Sequence, residues 1–354
     1  MDFTTLLSPR IIAANYTEAS SNRVPYLGET LFPAQKKMGL DLAWVKAAKG
    51  IPVSLKPSAF DAKATFRELE GISVTETEMP FFREGFKITE KDRQELLRAR
   101  DSNDPYLISV LNRIFNYSEN LIEAAAIVPE RMRMALLFPE NGEMTINFKA
   151  NGTTYSFDYD KTDEWKTNNY AALTSTALWS APATADPIKD FIDMAGKAAD
   201  ISGTEIKYAL MSPKTFNSMV STDALKSRWL SAAGINAGYI TPSEASSVIA
   251  QTTGITPVTY GKKYKDESKA TKSFVPDGYV TFIPEGNLGS TWYGTTPEEA
   301  DLMSSSAAEV SIVNTGVAIT TVVTPHPVNT EIYASEIVLP SFERMEEVVT
   351  LKVL

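Results

Sequence analysis

The sequence predicts an α+β fold, and three patterns carry that prediction. Apolar residues from Leu96 and Leu97 through Val110, Leu111, Ile114, Phe115, Leu121, Ile122, Ala125 and Met132 recur at helical spacing, the stripe of a long amphipathic helix. Met144, Ile146 and Phe148 alternate with polar residues, Asn151-Gly152 supplies a type I′ turn, and Tyr155, Phe157 and Tyr159 alternate on the return, so this stretch reads as a β-hairpin. From Glu309 to Leu354 the alternation is almost unbroken, and the chain is expected to end in strands.

A chain of 354 residues can bury a sizeable core, since about three quarters of the unfolded surface leaves water at roughly 300 residues. Its 43% hydrophobic and 22% charged content lies near the globular average, which argues against wholesale disorder. No stretch approaches the roughly 20 uninterrupted apolar residues of a membrane helix, and the opening MDFTTLLSPR lacks the basic and apolar regions of a secretory leader. A soluble chain without a leader is expected. The net charge of −10 repels a phosphate backbone on average, so tight non-specific DNA binding is disfavoured. With no cysteine, disulfides, thiolate nucleophiles and zinc–sulfur sites are excluded, and stability has to come from packing and association.

Residues 1–35 lack sustained periodicity and contain Pro9, Pro25 and Pro33, while Leu6-Leu7, Ile11-Ile12 and Leu31-Phe32 need apolar cover. An extended arm lying against another part of the chain or another subunit is expected. From Asp41 to Phe86, short β-like pieces are interleaved with dense charge, which suggests a two-stranded excursion with little core of its own: a solvated edge hairpin or an intersubunit arm. Thr89 is an N-cap candidate, with Glu90 and Asp92 in the first turn. Pro105 divides the helical pattern into a short first helix, a break near Ser102-Asn-Asp-Pro105 and a long second helix ending around Leu137 and kinked by Pro129. After the hairpin, from Asp186 onward, helices and strands mix: helices over 188–199, 213–219, 224–232 and 243–251, strands over 208–211, 258–260 and 279–283. Two helix-rich stretches joined through a hairpin suggest two subdomains.

Little in the sequence points to catalysis. The single histidine, His326, lies between Pro325 and Pro327 and reads as a solvated loop residue. Gly286-Asn-Leu-Gly289-Ser-Thr lacks the lysine of a phosphate-binding loop and reads as a connection. Asp158 with Asp160, and Glu298 with Glu299, are the carboxylate pairs that could flank a scissile bond. The first pair is expected on one solvated face of a strand, by the period of two. No catalytic, cofactor-binding or metal-binding residue is expected.

Three features in order resemble the lambda-like family of tailed-bacteriophage major capsid proteins. Leu31-Phe32-Pro33 closes an N-terminal segment and precedes the charged β excursion and the long helix. Phe274-Val-Pro-Asp277-Gly-Tyr-Val-Thr-Phe-Ile283 is similar to the family's Pro-Asp run before a strand, with Trp292-Tyr293-Gly294 after it. Thr315-Gly316, Pro327-Val, Ser335-Glu-Ile-Val-Leu-Pro340 and Val348-Val-Thr-Leu-Lys-Val353 are similar to its C-terminal string, with Pro325-His-Pro327 standing where the family often has Asp-Pro.

The resemblance implies the Hong Kong 97-like capsid fold: an N-arm over 1–35, an extended β loop over 36–88, a peripheral domain with a long spine helix over 89–185 and 305–340, and a mixed α/β axial domain over 186–304 and 341–354. It implies a shell of hexamers and pentamers around double-stranded DNA, in a virion assembled in the bacterial host cytoplasm, without a membrane or sequence-specific DNA contact. No long charged helix precedes the arm, so a separate scaffolding protein is expected, along with a portal and a decoration protein. Expected intersubunit contacts are Leu31 and Phe32, the arm's anchor if they do not pack in their own core, and Lys56, Lys63, Arg67, Glu68 and Glu70, salt-bridging from the loop. An encapsulin-like compartment and a carboxylate-dependent hydrolase are the alternatives.

Overall fold

The computed structural model describes residues 8–20, 25–45, 74–92, 94, 105–150, 153–233, 240–302, 309–313, 315–326 and 328–354. Where an extended arm is expected, it begins with helix α1 (Pro9–Ser20). The correction has a local cause. Pro9 sits in the first turn, where its missing N–H is no loss, and Ile12, Ala13 and Tyr16 share one face that is buried with Ile88, Ile122, Val313, Ile319 and Ile332. Helix α2 (Leu27–Leu31) and strand β1 (Ala34–Lys36) follow. Strands β2 (Asp41–Val45) and β3 (Val74–Glu78) pair as a two-stranded sheet, the root of the expected excursion, and β4 (Phe81–Ile88) leaves it.

Thr89 caps as expected: its N–H and hydroxyl donate to Asp92 Oδ2 at 2.9 and 2.7 Å, and the Asp92 N–H returns a bond to Thr89 Oγ1 at 3.4 Å. The expected break at 102–104 lies outside the described residues. The long helix α3 (Pro105–Leu137) ends where predicted and contains Pro129. β5 (Thr145–Ala150) and β6 (Thr153–Asp158) form the predicted hairpin in the register Thr145↔Asp158 to Ala150↔Thr153. Because β6 ends at Asp158, Asp160 does not share its solvated face. Asp160 is buried, and its carboxylate accepts the first-turn N–H groups of Trp165 at 3.1 Å and Lys166 at 2.9 Å, fixing the start of α4 (Glu164–Asn169).

The mixed region is built from β7 (Tyr170–Ala172), α5 (Pro187–Ser202), β8 (Ile206–Met211), α6 (Pro213–Val220), α7 (Asp223–Ala233), α8 (Pro242–Thr253), β9 (Thr256–Thr259), β10 (Lys263–Lys265), β11 (Thr271–Ser273) and β12 (Tyr279–Pro284). Its helix ends follow local chemistry. Asp186 accepts from Lys189 N ahead of α5, Gly203 ends that helix at φ 68°, and Thr241 with Glu244 forms a complete capping box on α8. The last strands are β13 (Ser290–Tyr293), β14 (Glu309–Val313), β15 (Val317–Pro325), β16 (Val328–Ser341) and β17 (Val349–Lys352). His326 lies exposed in the turn between β15 and β16.

The described residues fall into two compact units, one within Met1–Trp44, Thr75–Arg131 and Gly289–Ser341, the other within Val45–Val74, Met132–Leu288 and Phe342–Leu354. In the first, the sheet order is β1-β13-β16-β15-β14, with β4 also pairing β16. Along β16, residues 330–335 are flanked on both sides, by β15 and by β4, and residues 338–341 pair with β13. A side chain at Gly85 would lie 2.6 Å from Tyr333 Cβ, so β4 reaches β16 only because that position is glycine.

In the second unit the sheet order is β7-β17-β12-β8-β9, and every residue of β12 is buried, which explains its nearly continuous apolar run. Phe191 of α5 meets Phe282 of β12 edge-on at 5.0 Å and stacks near Trp179 at 6.4 Å. Trp179 Nε1 donates to Asp190 Oδ2 at 2.8 Å. Burial raises the Asp190 carboxyl above its usual range against the lowering effect of that bond, and the nearby Asp186 and Asp193 add to the rise. A carboxyl raised in the folded state opposes folding while ionised, and the cost vanishes below its unfolded pKa of about 3.9. Asp190→Asn keeps the acceptor for Trp179 and is expected to raise the melting temperature at pH 7, with the gain shrinking as the buffer is taken toward pH 4; thermal unfolding followed across that range checks it.

Candidate intersubunit contact surface

Among the described residues, no group of three or more His, Asp and Glu is arranged to hold a metal. The other carboxylate pair singled out in the sequence is engaged in ion pairs. Glu298, 2% exposed, pairs with Arg83 of β4 and accepts from Ser335 Oγ of β16 at 2.9 Å. Glu299 pairs with Lys36 of β1 at 2.6 Å. Both acids stand on the π-helical turn Glu298–Leu302, which is thereby tied to β1, β4 and β16. In the second unit Ser212 looks nucleophile-like, since its hydroxyl donates to Asp277 Oδ1 at 2.6 Å. That hydroxyl also accepts from Thr215 N at 3.2 Å, so it serves as the N-cap of α6. The bond from Ser212, with the ammonium of Lys214 at 3.2 Å, holds the Asp277 carboxyl below its usual range.

Surface residues offer more. Met38 is 89% exposed, Leu40 42% and Phe81 42%, all at the root of the β2–β3 excursion, where Met79 N donates to Leu40 O at 2.9 Å. The Arg83 guanidinium lies 4.7 Å from the Phe81 ring centre. Exposed apolar side chains grouped beside a charge have the make-up of a contact surface rather than of isolated surface residues.

The sequence-predicted contacts fare unequally. Phe32 is fully buried in its own unit, its N–H donating to Gly28 O at 2.8 Å and its carbonyl accepting from Thr291 Oγ1 at 2.8 Å. Those bonds, with Gly28 N donating to the buried Glu130 at 3.2 Å, seat α2 and β1 on the unit, and Phe32 packs in its own core. Leu31 is half-buried. Lys56, Lys63, Arg67, Glu68 and Glu70 lie outside the described residues. Met38, Leu40 and Phe81 were missed, although Phe81-Phe82 carried a signal: adjacent strand residues face opposite ways, so one ring of such a pair points away from the core.

The fold places the protein in a class. A prophage protein of E. coli CFT073 assigned as its capsid protein superimposes with a TM-score of 0.60 at 14% identity, over 98% of this chain and 99% of that one. The cyanophage A-1(L) capsid matches with a TM-score of 0.53 at 11% identity over 93% and 92%, and a phage-related protein of Bordetella bronchiseptica RB50 with 0.51 at 12% over 98% and 97%. No curated protein sequence matches. The fold is therefore that of phage capsid proteins, the class the sequence resemblance implied. The family model of phage major capsid protein E matches residues 12–353, and the chain belongs to that family. It is a shell-forming structural protein of the virion.

The buried Glu298 gives the first unit a measurable dependence on Arg83. Arg83→Met is expected to cost about 2 kcal/mol in unfolding free energy, toward the low end for a buried pair because the guanidinium is half exposed. Adding Glu298→Gln should recover most of that loss, as read by denaturant unfolding of the single and double variants.

Proposed function

We propose that this protein builds the icosahedral head of a tailed phage, as hexamers and pentamers around double-stranded DNA, and performs no catalysis in that role. The observation that carries the proposal is the family match over residues 12–353. The acidic balance supports it, because a wall of surplus carboxylates does not hold on to the polyanion that must move past it. No helix among the described residues is long and apolar enough to cross a membrane. Assembly in the host cytoplasm with a separate scaffolding protein, a portal and a decoration protein completes the proposal.

Within the shell we assign residues 1–35 to the arm, 36–88 to the extended loop, 89–185 and 305–340 to the peripheral domain, and 186–304 and 341–354 to the axial domain. The common core of α5, α6, α7 and α8 with β8, β12 and β17 supports the axial assignment. The pairing of β2 with β3 supports a two-stranded loop. On that loop Lys56, Lys63, Arg67, Glu68 and Glu70 are the proposed salt-bridging residues, with Leu31 contributing at the arm. Each exposed pair contributes only about 0 to 1 kcal/mol, so repetition over many copies must supply the effect.

Negative-stain microscopy of the protein expressed with its neighbouring gene products is expected to show closed shells about tens of nanometres across; a persistent monomer would overturn the proposal. Exchanging the loop charges, Arg67→Glu with Glu68→Arg, should lower shell yield while the melting temperature of the subunit stays within about 2 °C of the parent. Shells in normal yield would remove the loop charges from the contact.

A further inference from the structure

The hairpin of β10 and β11 departs in charge from the rest of the chain. Between Gly261 and Ser273 stand Lys262, Lys263, Lys265, Lys269 and Lys272 against Asp266 and Glu267, in a protein whose net charge is −10. The hairpin has a rigid base and a rigid tip. At the base, the Tyr264 ring lies 4.8 Å from that of buried Phe274, which stacks near Tyr260 at 6.1 Å. At the tip, the Asp266 carboxylate accepts from Ser268 N at 3.0 Å, Ser268 Oγ at 2.6 Å and Ala270 N at 2.9 Å, and pairs with Lys272 at 3.0 Å. Asp266 is thus consumed inside the turn, beside the exposed Glu267.

The register leaves one face of the hairpin for a partner. Lys263 lies opposite Ser273 and Lys265 opposite Thr271, and all four are exposed. Lys263 helps hold down the Asp277 carboxyl, which is already paired with Lys214. Lys265 and the exposed turn residue Lys269 have no ion pair among the described residues. Ammonium groups and hydroxyls on a stiff support lose little freedom on meeting carboxylates.

A groove in the same unit complements that face. It runs along α5 with a volume of about 650 Å³, and Thr167, Asn168, Ile192, Asp193, Lys197 and Asp200 are among its lining residues. Ile192 is 52% exposed, and Gly196 leaves open space in the lining. The Lys197 ammonium is turned onto Tyr170 O at 3.1 Å, whereas exposed Asp200 has no ion pair among the described residues. A groove with an apolar patch and an uncompensated carboxylate suits a hairpin face whose lysines carry ammonium groups on long apolar stems.

We infer that the lysine face of the β10–β11 hairpin of one subunit docks in the α5 groove of a second copy of the chain. The inference rests on the shell-forming reading and names one of its contacts. Two different patches meet, so the contact is heterologous, the kind whose repetition generates a ring when its rotation closes, as a capsomer requires. A second copy is the partner the charges favour: each copy carries a net acidic surplus together with this locally basic hairpin, and a contact between such patches is steered by their fields.

The test uses the full chain under conditions where the parent forms shells, with yield read by light scattering and microscopy. Lys265→Glu with Lys269→Glu is expected to lower shell yield by about tenfold, with the subunit's melting temperature unchanged because both side chains are exposed. Adding Asp193→Lys and Asp200→Lys should restore yield. Normal yield from the lysine variant, or no restoration in the fourfold variant, overturns the inference. So does a lysine variant that forms shells in full yield but holds less DNA, which would make the hairpin a nucleic-acid contact. Failure of the parent to form shells would count against the shell reading itself, so the two failures are distinguishable.

Discussion

The first unit depends on one strand having both edges satisfied. Backbone N–H and C=O groups buried without partners are costly, and β16 is buried over most of its fourteen residues. It therefore needs neighbours along both edges, and it draws them from distant parts of the sequence: β4 from before the long helix, β13 from after the mixed region, and β15 through a tight turn. Everything else in that unit is arranged about this ladder. The helix α1 covers part of the sheet with Ile12 and Tyr16, and the π-helical turn is tied to β4, β16 and β1 by Glu298 and Glu299.

The second unit solves the same problem with helices. Its inner strand β12 lies between β17 and β8, and both of its faces are closed by side chains, including Phe191 from α5. Polar groups at the edges of this core are used for fastening. Asp160 and Ser212 hold helix starts, Asp190 receives an indole, and Asp277 is pinned between a hydroxyl and an ammonium. Carboxylates that could have been read as chemistry are thus occupied with backbone amides and partners of opposite charge. For a protein whose work is association, the informative groups are those left outside: Met38, Phe81, Ile192, Lys265 and Lys269.

The fold was legible wherever a period persisted. The stripe through Ile122 and Met132, the alternation flanking Asn151-Gly152 and the run from Glu309 to Leu354 each span several turns or strands, and each became the element it predicted. Short signals failed for a physical reason. Three residues, Ile12, Ala13 and Tyr16, were too few to distinguish a helix from an arm carrying apolar patches, and tertiary burial decided the matter. Asp160 was misread because a period of two was carried past the end of its strand. Phe32 could not be assigned from sequence, since an apolar residue that needs cover does not reveal which chain provides it. The candidate contact surface was less legible than the fold, because exposure at Met38 or Phe81 depends on which neighbours fail to cover them.

The order in which the strands enter their sheets carries a temporal consequence. β1 and β4 lie near the start of the chain, yet the strand between β4 and β15, β16, is translated only at residues 328–341, and β17 of the other sheet at 349–352. Contacts of such long sequence separation form slowly and late. Until the ribosome has passed those residues, neither sheet can be completed, and the exposed groups of both units lack the support that shapes them. Nascent chains on one messenger are therefore poor partners for each other until residues 328–352 have been translated.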